Sequence, residues 1–263
     1  MGVVDHQQSS SSPSCTGCRD GVGLDFDFSM AFQPIVDIVD GVPFAYEALV
    51  RGVSGESAAS VLSRASEANR YAFDQQCRVK AIEIAARLGL AETTARLSIN
   101  ILPNAVVSAE ACIQLTLKTA RKVGFPTDRL IFEFTENEEM IDPDHVAKII
   151  ATYQKMGFGT ALDDFGSGYA GLNLLARFQP DIIKLDMELC RGLDASLPRR
   201  IIVNAIVEMC AALGVTVIAE GIETAGELEA LRTMGVRYIQ GYFFAKPAFE
   251  ALPPLSVHLD RGA

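Results

Sequence analysis

Histidine is scarce in this chain of 263 residues: His6, His145 and His258 lie far apart and lack the spacing of a metal site. That excludes the common zinc frameworks, which need His or Cys ligands at short fixed intervals. Cysteine is almost as sparse, and six residues are too few for a disulfide scaffold. Cys77, Cys112, Cys190 and Cys210 each sit in an apolar helical pattern and read as reduced core thiols. Cys15 and Cys18 form a C-x-x-C in a polar segment, with no second pair to complete a four-coordinate site. Basic residues are in deficit as well: 23 Lys+Arg against 33 Asp+Glu give a net charge of −10 and a pI near 4.8. Neutralising a polynucleotide backbone needs the opposite balance, so polynucleotides are excluded as partners and an anionic ligand would need help from a cation. No apolar run reaches the roughly 18 residues of a membrane span. The opening MGVVDHQQSSSS has neither the basic nor the apolar region of a signal peptide, and His6 breaks the myristoylation pattern. A soluble, cytoplasmic protein is expected, and a hydrophobic content of 49% gives it ample core.

What is present is a regular alternation. Residues 1–28 are rich in Ser, Gly and Asp and read as a flexible N-terminal arm, 29–255 as one domain, and 256–263 as a C-terminal tail. Within the domain, short apolar or β-branched runs occur at MAFQPIVDI, PFAYEALVR, RLSINIL, RLIFEFT, FGTALDD, DIIKLD, VTVIAE and RYIQG. Between the later ones lie helical patterns such as FDQQCRVKAIEIAARLG, AEACIQLTLKTARKVG, DPDHVAKIIATYQKMG, PRRIIVNAIVEMCAALG and AGELEALRTMG. These close on Gly89, Gly124, Gly157, Gly214 and Gly235, the residue type that ends helices. Repeated strand–helix units call for a parallel sheet covered by helices. About eight strands in about 235 residues is the size of a TIM-like (β/α)8 barrel in the α/β class. Only VDGV separates the first two runs, too short for a crossover helix, so the first strand should run antiparallel to the rest.

A buried barrel strand should be apolar throughout, so polar residues recurring at the strand ends need an explanation. They are Glu47, Asn100, Glu133 and Glu136, Asp163 and Asp164, Lys184 and Asp186, Glu220, and Gln240. Any one of them alone is more often a cap or loop carboxylate, but helix capping does not readily explain Glu, Lys and Gln in the same role. If the barrel closes they converge on one mouth, where so many carboxylates would repel one another without cations. Oxygen ligands without His or Cys select hard ions such as Mg²⁺ or Mn²⁺. Paired Asp163 and Asp164 could serve two ions, one ligand bridging, which suits hydrolysis of a phosphate ester by metal-activated water. Gly166, Gly168 and Gly171 also spell a G-x-G-x-x-G after a strand, with Asp186 about twenty residues on. As a dinucleotide fingerprint it would set Asp163 and Asp164 against a pyrophosphate and leave Glu47, Asn100, Glu133 and Glu220 without a role. Gly166, Ser167 and Gly168 read instead as a flexible active-site loop.

The ordered motifs QPIV, EALVR, SIN, FEFTE, DDFGSGY, IIKLD, AEGIET and YIQGYFF resemble those of the EAL-domain family of cyclic di-GMP phosphodiesterases, over nearly all of residues 30–250. The resemblance implies a barrel with an antiparallel first strand and hydrolysis of cyclic di-GMP to linear pGpG with two Mg²⁺ or Mn²⁺ ions. It implies Glu47, Asn100, Glu133, Asp163, Asp164 and Glu220 as metal ligands. Lys184 and Gln240 would contact or orient the attacking water, and Lys184 would also stabilise charge on the phosphate. Arg51 would hold a phosphate, or else form a surface ion pair. Gln33, Asp164 and Asp186 complete the substrate-facing set, the role of Asp186 staying open. Glu136 and Glu223 match supporting acids, Glu223 behind the DDFGSGY loop and among the residues needed for catalysis, unless it merely supplies charge to a helix N-terminus. The loop departs from the common family pattern at Ser167, Ala170 and Gly171. Ca²⁺ is expected to occupy the site and inhibit, because its looser coordination positions water poorly. The family also implies a homodimer, with NLLARFQPD as a pairing face or as barrel core, and room for a regulatory protein partner. The alternatives to the enzyme are a catalytically silent receptor module that binds cyclic di-GMP and signals through a partner protein, or a scaffold with no nucleotide.

Overall fold

The computed structural model describes residues 24–102, 105–106, 108–135, 143–168 and 171–256. His6, Cys15, Cys18, Glu136 and His258 lie outside the described residues. Eight strands form the barrel: β1 Ser29–Asp37, β2 Val42–Arg51, β3 Arg96–Ile101, β4 Leu130–Thr135, β5 Gly159–Phe165, β6 Ile182–Leu185, β7 Thr216–Ala219 and β8 Tyr238–Gln240. From β2 to β8 they lie side by side in chain order and run parallel, and β1 closes the ring by pairing antiparallel with both β2 and β8. The four-residue VDGV link is thus the hairpin its length requires. A two-residue strand, β9 Ala248–Phe249, adds to the upper part of β1.

The period of two along a strand explains how this barrel makes a site. Ile35, Ala45, Ile131, Ala161, Ile182 and Ile218 point inward and pack as one apolar layer. Two residues toward the mouth stand Gln33, Glu47, Glu133, Asp163 and Lys184 on their strands and Glu220 just past the end of β7. An apolar floor therefore lies directly under a ring of charge, and it closes the site to water from below.

The helices cover the outside. They are α1 Ala58–Leu62, α2 Arg70–Arg87, α3 Ala109–Cys112, α4 Gln114–Val123, α5 Pro143–Lys155, α6 Gly171–Arg177, α7 Met187–Cys190, α8 Leu197–Leu213 and α9 Ala225–Thr233. All five glycines expected to close helices have φ between 70° and 85°, the left-handed conformation that helix ends use. AEACIQLTLKTARKVG, one helical pattern in the sequence, forms α3 and α4 with a break at the fully buried Ile113. Cys112, Cys190 and Cys210 are buried free thiols and Cys77 is half-buried. His145, on α5, sets its Nε2 2.6 Å from the Val106 carbonyl and is half-buried.

Packing begins ahead of the boundary expected at residue 28. In LDFDFS the aspartates alternate with Phe26 and Phe28, which turn inward and meet Phe73 of α2 at ring distances of 5.9 and 5.1 Å. Within NLLARFQPD, Leu174 and Leu175 belong to the core, whereas Leu172 just before it is 64% exposed.

Candidate active site

Lys184 stands at the centre of the ring of charge. Its Nζ lies 2.7 Å from Glu220, 3.0 Å from Glu133, 3.1 Å from Asp163 and 3.4 Å from Glu47. All four acids come from different strands, so only a closed barrel brings them together. Glu47 is the most fully bonded: it accepts from Asn100 Nδ2 at 2.9 Å and from Gln240 Nε2 at 2.7 Å. Gln240 Nε2 also faces Gln33 Oε1 at 3.3 Å, and Gln33 donates to the Ala245 carbonyl at 3.2 Å. Glu133 accepts from Ser98 Oγ at 2.5 Å. Sequence reasoning passed over Ser98, although it lies two residues before Asn100 and so shares its inward face.

The backbone here is built for close approach. Asp164 has φ 55°, a left-handed conformation unusual for a residue with a side chain. The Ser167 N–H and hydroxyl both donate to its carbonyl, at 3.0 and 2.8 Å, and hold the turn. A Cβ on Gly241 would sit 2.0 Å from the Ile222 carbonyl oxygen, so only glycine lets the end of β8 press against the AEGIET segment. That contact sets Gln240 beside Glu220.

Burial pushes the pKa of Glu47, Glu133, Asp163 and Glu220 upward, and the neighbours decide the rest. For Glu133 and Glu220, burial and the other acids outweigh Lys184, and both are pushed well above the usual range. Asp163 is pushed up to about 6 by burial, then by Glu47 and Asp164, against the pull of Lys184. Glu47 goes the other way: Lys184, Gln240 and Asn100 outweigh its burial and keep it ionised. Burial would lower Lys184, but Asp163, Glu133, Glu220 and Glu47 overcome it and hold the ammonium charged.

Two groups of acids are placed to hold cations: Glu47, Glu133 and Asp163, and Asp163, Asp164 and Glu220. Within each, one oxygen per residue lies within 4.8 Å of the others, and Asp163 belongs to both. A recess of about 380 Å³ opens over them, lined by Gln33, Lys184, Glu220, Gln240 and the rim residue Tyr242. A second, mainly apolar recess of about 310 Å³ meets it at Glu47, Leu49, Asp163 and Asp164, and is lined further by Val50, Leu62 and Phe73.

Other expected residues lie around the acid ring rather than in it. Asp186, expected to face substrate, turns to the backbone and caps α7 by accepting from Glu188 N–H at 2.8 Å. Glu223 reaches the rim, where it is half-exposed and pairs with Arg191 at 3.1 Å. The carboxylate that ties the loops at this side is Glu227, which accepts from the Gly192, Glu223 and Thr224 N–H groups. Arg51, at the end of β2, donates to its neighbour Val50's carbonyl at 2.7 Å and is half-buried. Gly166 and Ser167 form an exposed turn, with Gly168 beside it.

The EAL domain family matches residues 24–247. Among curated proteins, the chain is 33% identical over 226 residues to the blue light- and temperature-regulated antirepressor BluF of Escherichia coli, covering 86% of this chain and 56% of BluF. It is 26% identical to the cyclic di-GMP phosphodiesterase PA2567 of Pseudomonas aeruginosa over 93% of this chain and 42% of that protein. It therefore spans about half the length of these relatives. Among solved structures, a standalone versatile EAL protein from Vibrio cholerae in a c-di-GMP bound form is 51% identical, with a TM-score of 0.86 over 89% of this chain and 98% of that one. The manganese/cy-diGMP complex of Klebsiella pneumoniae BlrP1 is 34% identical, with a TM-score of 0.79 over 85% of this chain and 56% of that one.

Proposed function

The chain belongs to the EAL-domain family, and on that premise we propose that it hydrolyses cyclic di-GMP to linear pGpG with two divalent ions, lowering the level of the messenger. The observation that carries the proposal is the pair of acid groups sharing Asp163 at the barrel mouth.

The residues fit such ions. The donors are all oxygen, which suits Mg²⁺ or Mn²⁺. Asn100 has its amide nitrogen on Glu47, which turns its carbonyl oxygen to other use. Glu47, Asn100, Glu133, Asp163, Asp164 and Glu220 would hold the ions. Bound there, they supply Lewis acidity toward a phosphoryl oxygen and acidify the attacking water. The charged Lys184 stabilises the negative charge that grows on the phosphate. Gln240 Oε1, buried and without a hydrogen-bond partner among the described residues, accepts from the attacking water and aims it. Arg51 is assigned to a phosphate of the substrate, a role that suits a guanidinium fork. The two recesses meeting at the acids suit a ligand with a flat base on either side of its phosphates, and Tyr242, 52% exposed, offers a stacking surface. Asp186 keeps its capping role, and Glu223 with Arg191 guards the rim.

Purified protein incubated with cyclic di-GMP and Mn²⁺ is expected to yield pGpG, and Glu47→Ala to lose turnover. Ca²⁺ in place of Mn²⁺ should give little product. BluF's description as an antirepressor favours one second reading, a silent receptor acting through a protein partner. Tight nucleotide binding with no pGpG would establish that reading and sink the enzyme. The same proposal places the chain in the cytoplasm as a homodimer under a regulatory partner. Exposed Leu172, Leu197 and Ile201 give a second copy apolar surface to cover, and a monomer in sedimentation would remove that part.

A further inference from the structure

Outside the acid ring, one buried charge pair is left unused by this chemistry. Asp74 and Arg78 stand one turn apart on α2, with side chains 1% and 0% exposed and an Arg78 NH2–Asp74 Oδ2 distance of 2.5 Å. Stability is a poor explanation for such a pair, because desolvation consumes most of the attraction and apolar side chains often do as well. What the pair holds is more telling. The other Asp74 oxygen, Oδ1, accepts the Leu102 N–H at 3.1 Å. Leu102 is the first residue beyond β3, and the β3–β4 pairing stops at Ile101 and Phe134. Asp74 therefore takes up the chain where the sheet releases it. Arg78 NH1 and Gln75 Nε2 in turn reach the Cys112 carbonyl at the end of α3, at 3.4 and 2.9 Å, so the pair is braced from a second element.

Two residues before Leu102 stands Asn100. We propose that Asp74, with Arg78 as its buried counter-charge, is a positioning residue for Asn100 as a metal ligand, an inference that rests on the reading above. The physical reason lies in the ligand type. A carboxylate draws a cation through a full charge, which fades slowly with distance, whereas a neutral amide oxygen acts through a dipole, which fades faster. Among the six ligands Asn100 is the one whose contribution depends most on exact placement, and a buried acid pins the end of its strand.

The test compares two double variants with the unaltered chain. Asp74→Leu with Arg78→Met removes both charges and the anchor, leaving no unpaired buried charge. Asp74→Asn with Arg78→Met keeps a carbonyl oxygen for the Leu102 N–H. Mn²⁺ affinity is read by calorimetric titration without nucleotide, and kcat and KM are read with cyclic di-GMP. The first variant is expected to bind Mn²⁺ at least tenfold more weakly, the range for partners that orient metal ligands. Its kcat at a fixed Mn²⁺ level should fall while KM stays within about twofold, and the second variant should recover most of both losses. Wild-type affinity in the leucine variant overturns the inference while leaving the proposed function standing. An unaltered chain that neither binds Mn²⁺ nor makes pGpG removes both. Should the leucine variant fail to fold, hydrogen exchange at Leu102 in the unaltered chain decides: an amide exchanging as fast as an exposed one overturns the anchor, and a strongly protected one supports it.

Discussion

Lys184 and its four acids are the same device seen from two sides: an internal cation holds the carboxylates together, and the carboxylates hold the cation charged. Protons and metal ions compete for those oxygens. Burial, followed by the neighbouring acids, lifts Asp163 to about 6 and Glu133 and Glu220 well above their usual range. A raised pKa keeps a carboxyl protonated to higher pH, so metal affinity should rise as pH climbs through 6 and keep rising on the alkaline side. Mn²⁺ titrations from about pH 5.5 to 8.5 should tighten at least tenfold, one unit of pKa being worth about a factor of ten; a flat profile would contradict the assignment. Most of this cluster was legible in the sequence, because Glu, Lys and Gln at the ends of apolar runs have no ordinary structural use. Ser98, Asp74 and Glu227 were not. A serine in a strand and an acid in a helix look like solvent-facing residues until the fold shows what they touch. Asp186 and Asp163 look alike as strand-end aspartates, and only the fold separates the helix cap from the member of the acid ring.

Among the elements, β1 is the one that departs from the parallel pattern, and it is held at its far end as well as at the site. Asp37 closes it there: its carboxylate accepts from the Val39 and Asp40 N–H groups and from Arg237 at the start of β8. Arg237 is 43% exposed, so the ion pair adds little by itself, and the backbone bonds carry the effect. Asp37→Ala should lower stability by about 2 kcal/mol at neutral pH; an unchanged urea midpoint would contradict this. Burial raises the Asp37 pKa, but Arg237 and the two amides outweigh it and hold the carboxyl below its usual value. Its contribution is therefore complete above the unfolded pKa, and is lost as pH falls through the lower folded one. Strand and helix identities were legible because period and closing glycines agree. The break at Ile113 and the inward turn of Phe26 and Phe28 were not, since both are settled by packing against α2 and the sheet rather than by local pattern.

At the scale of the whole molecule, part of the −10 charge is gathered at one mouth, and two divalent cations would bring about four positive charges there. Binding that occurs only in the folded state stabilises it by about 2.7 kcal/mol at a hundredfold excess over Kd. For a domain of this size that is roughly 5–10 °C in Tm. Melting curves should rise by that order with Mn²⁺ and fall back with a chelator; a curve indifferent to Mn²⁺ would count against the ion site. The ring-closing position of β1 bears on biosynthesis. Its partners on β8 and β9 lie some two hundred residues further along the chain, and Gln33, Glu47 and Gln240 meet across that join. Contacts so distant in sequence form late, and β8 leaves the ribosome after the seven other barrel strands. A chain cut short before β8 can make every earlier barrel strand and still lack a finished mouth, so the acid ring is completed only when the last barrel strand has been made.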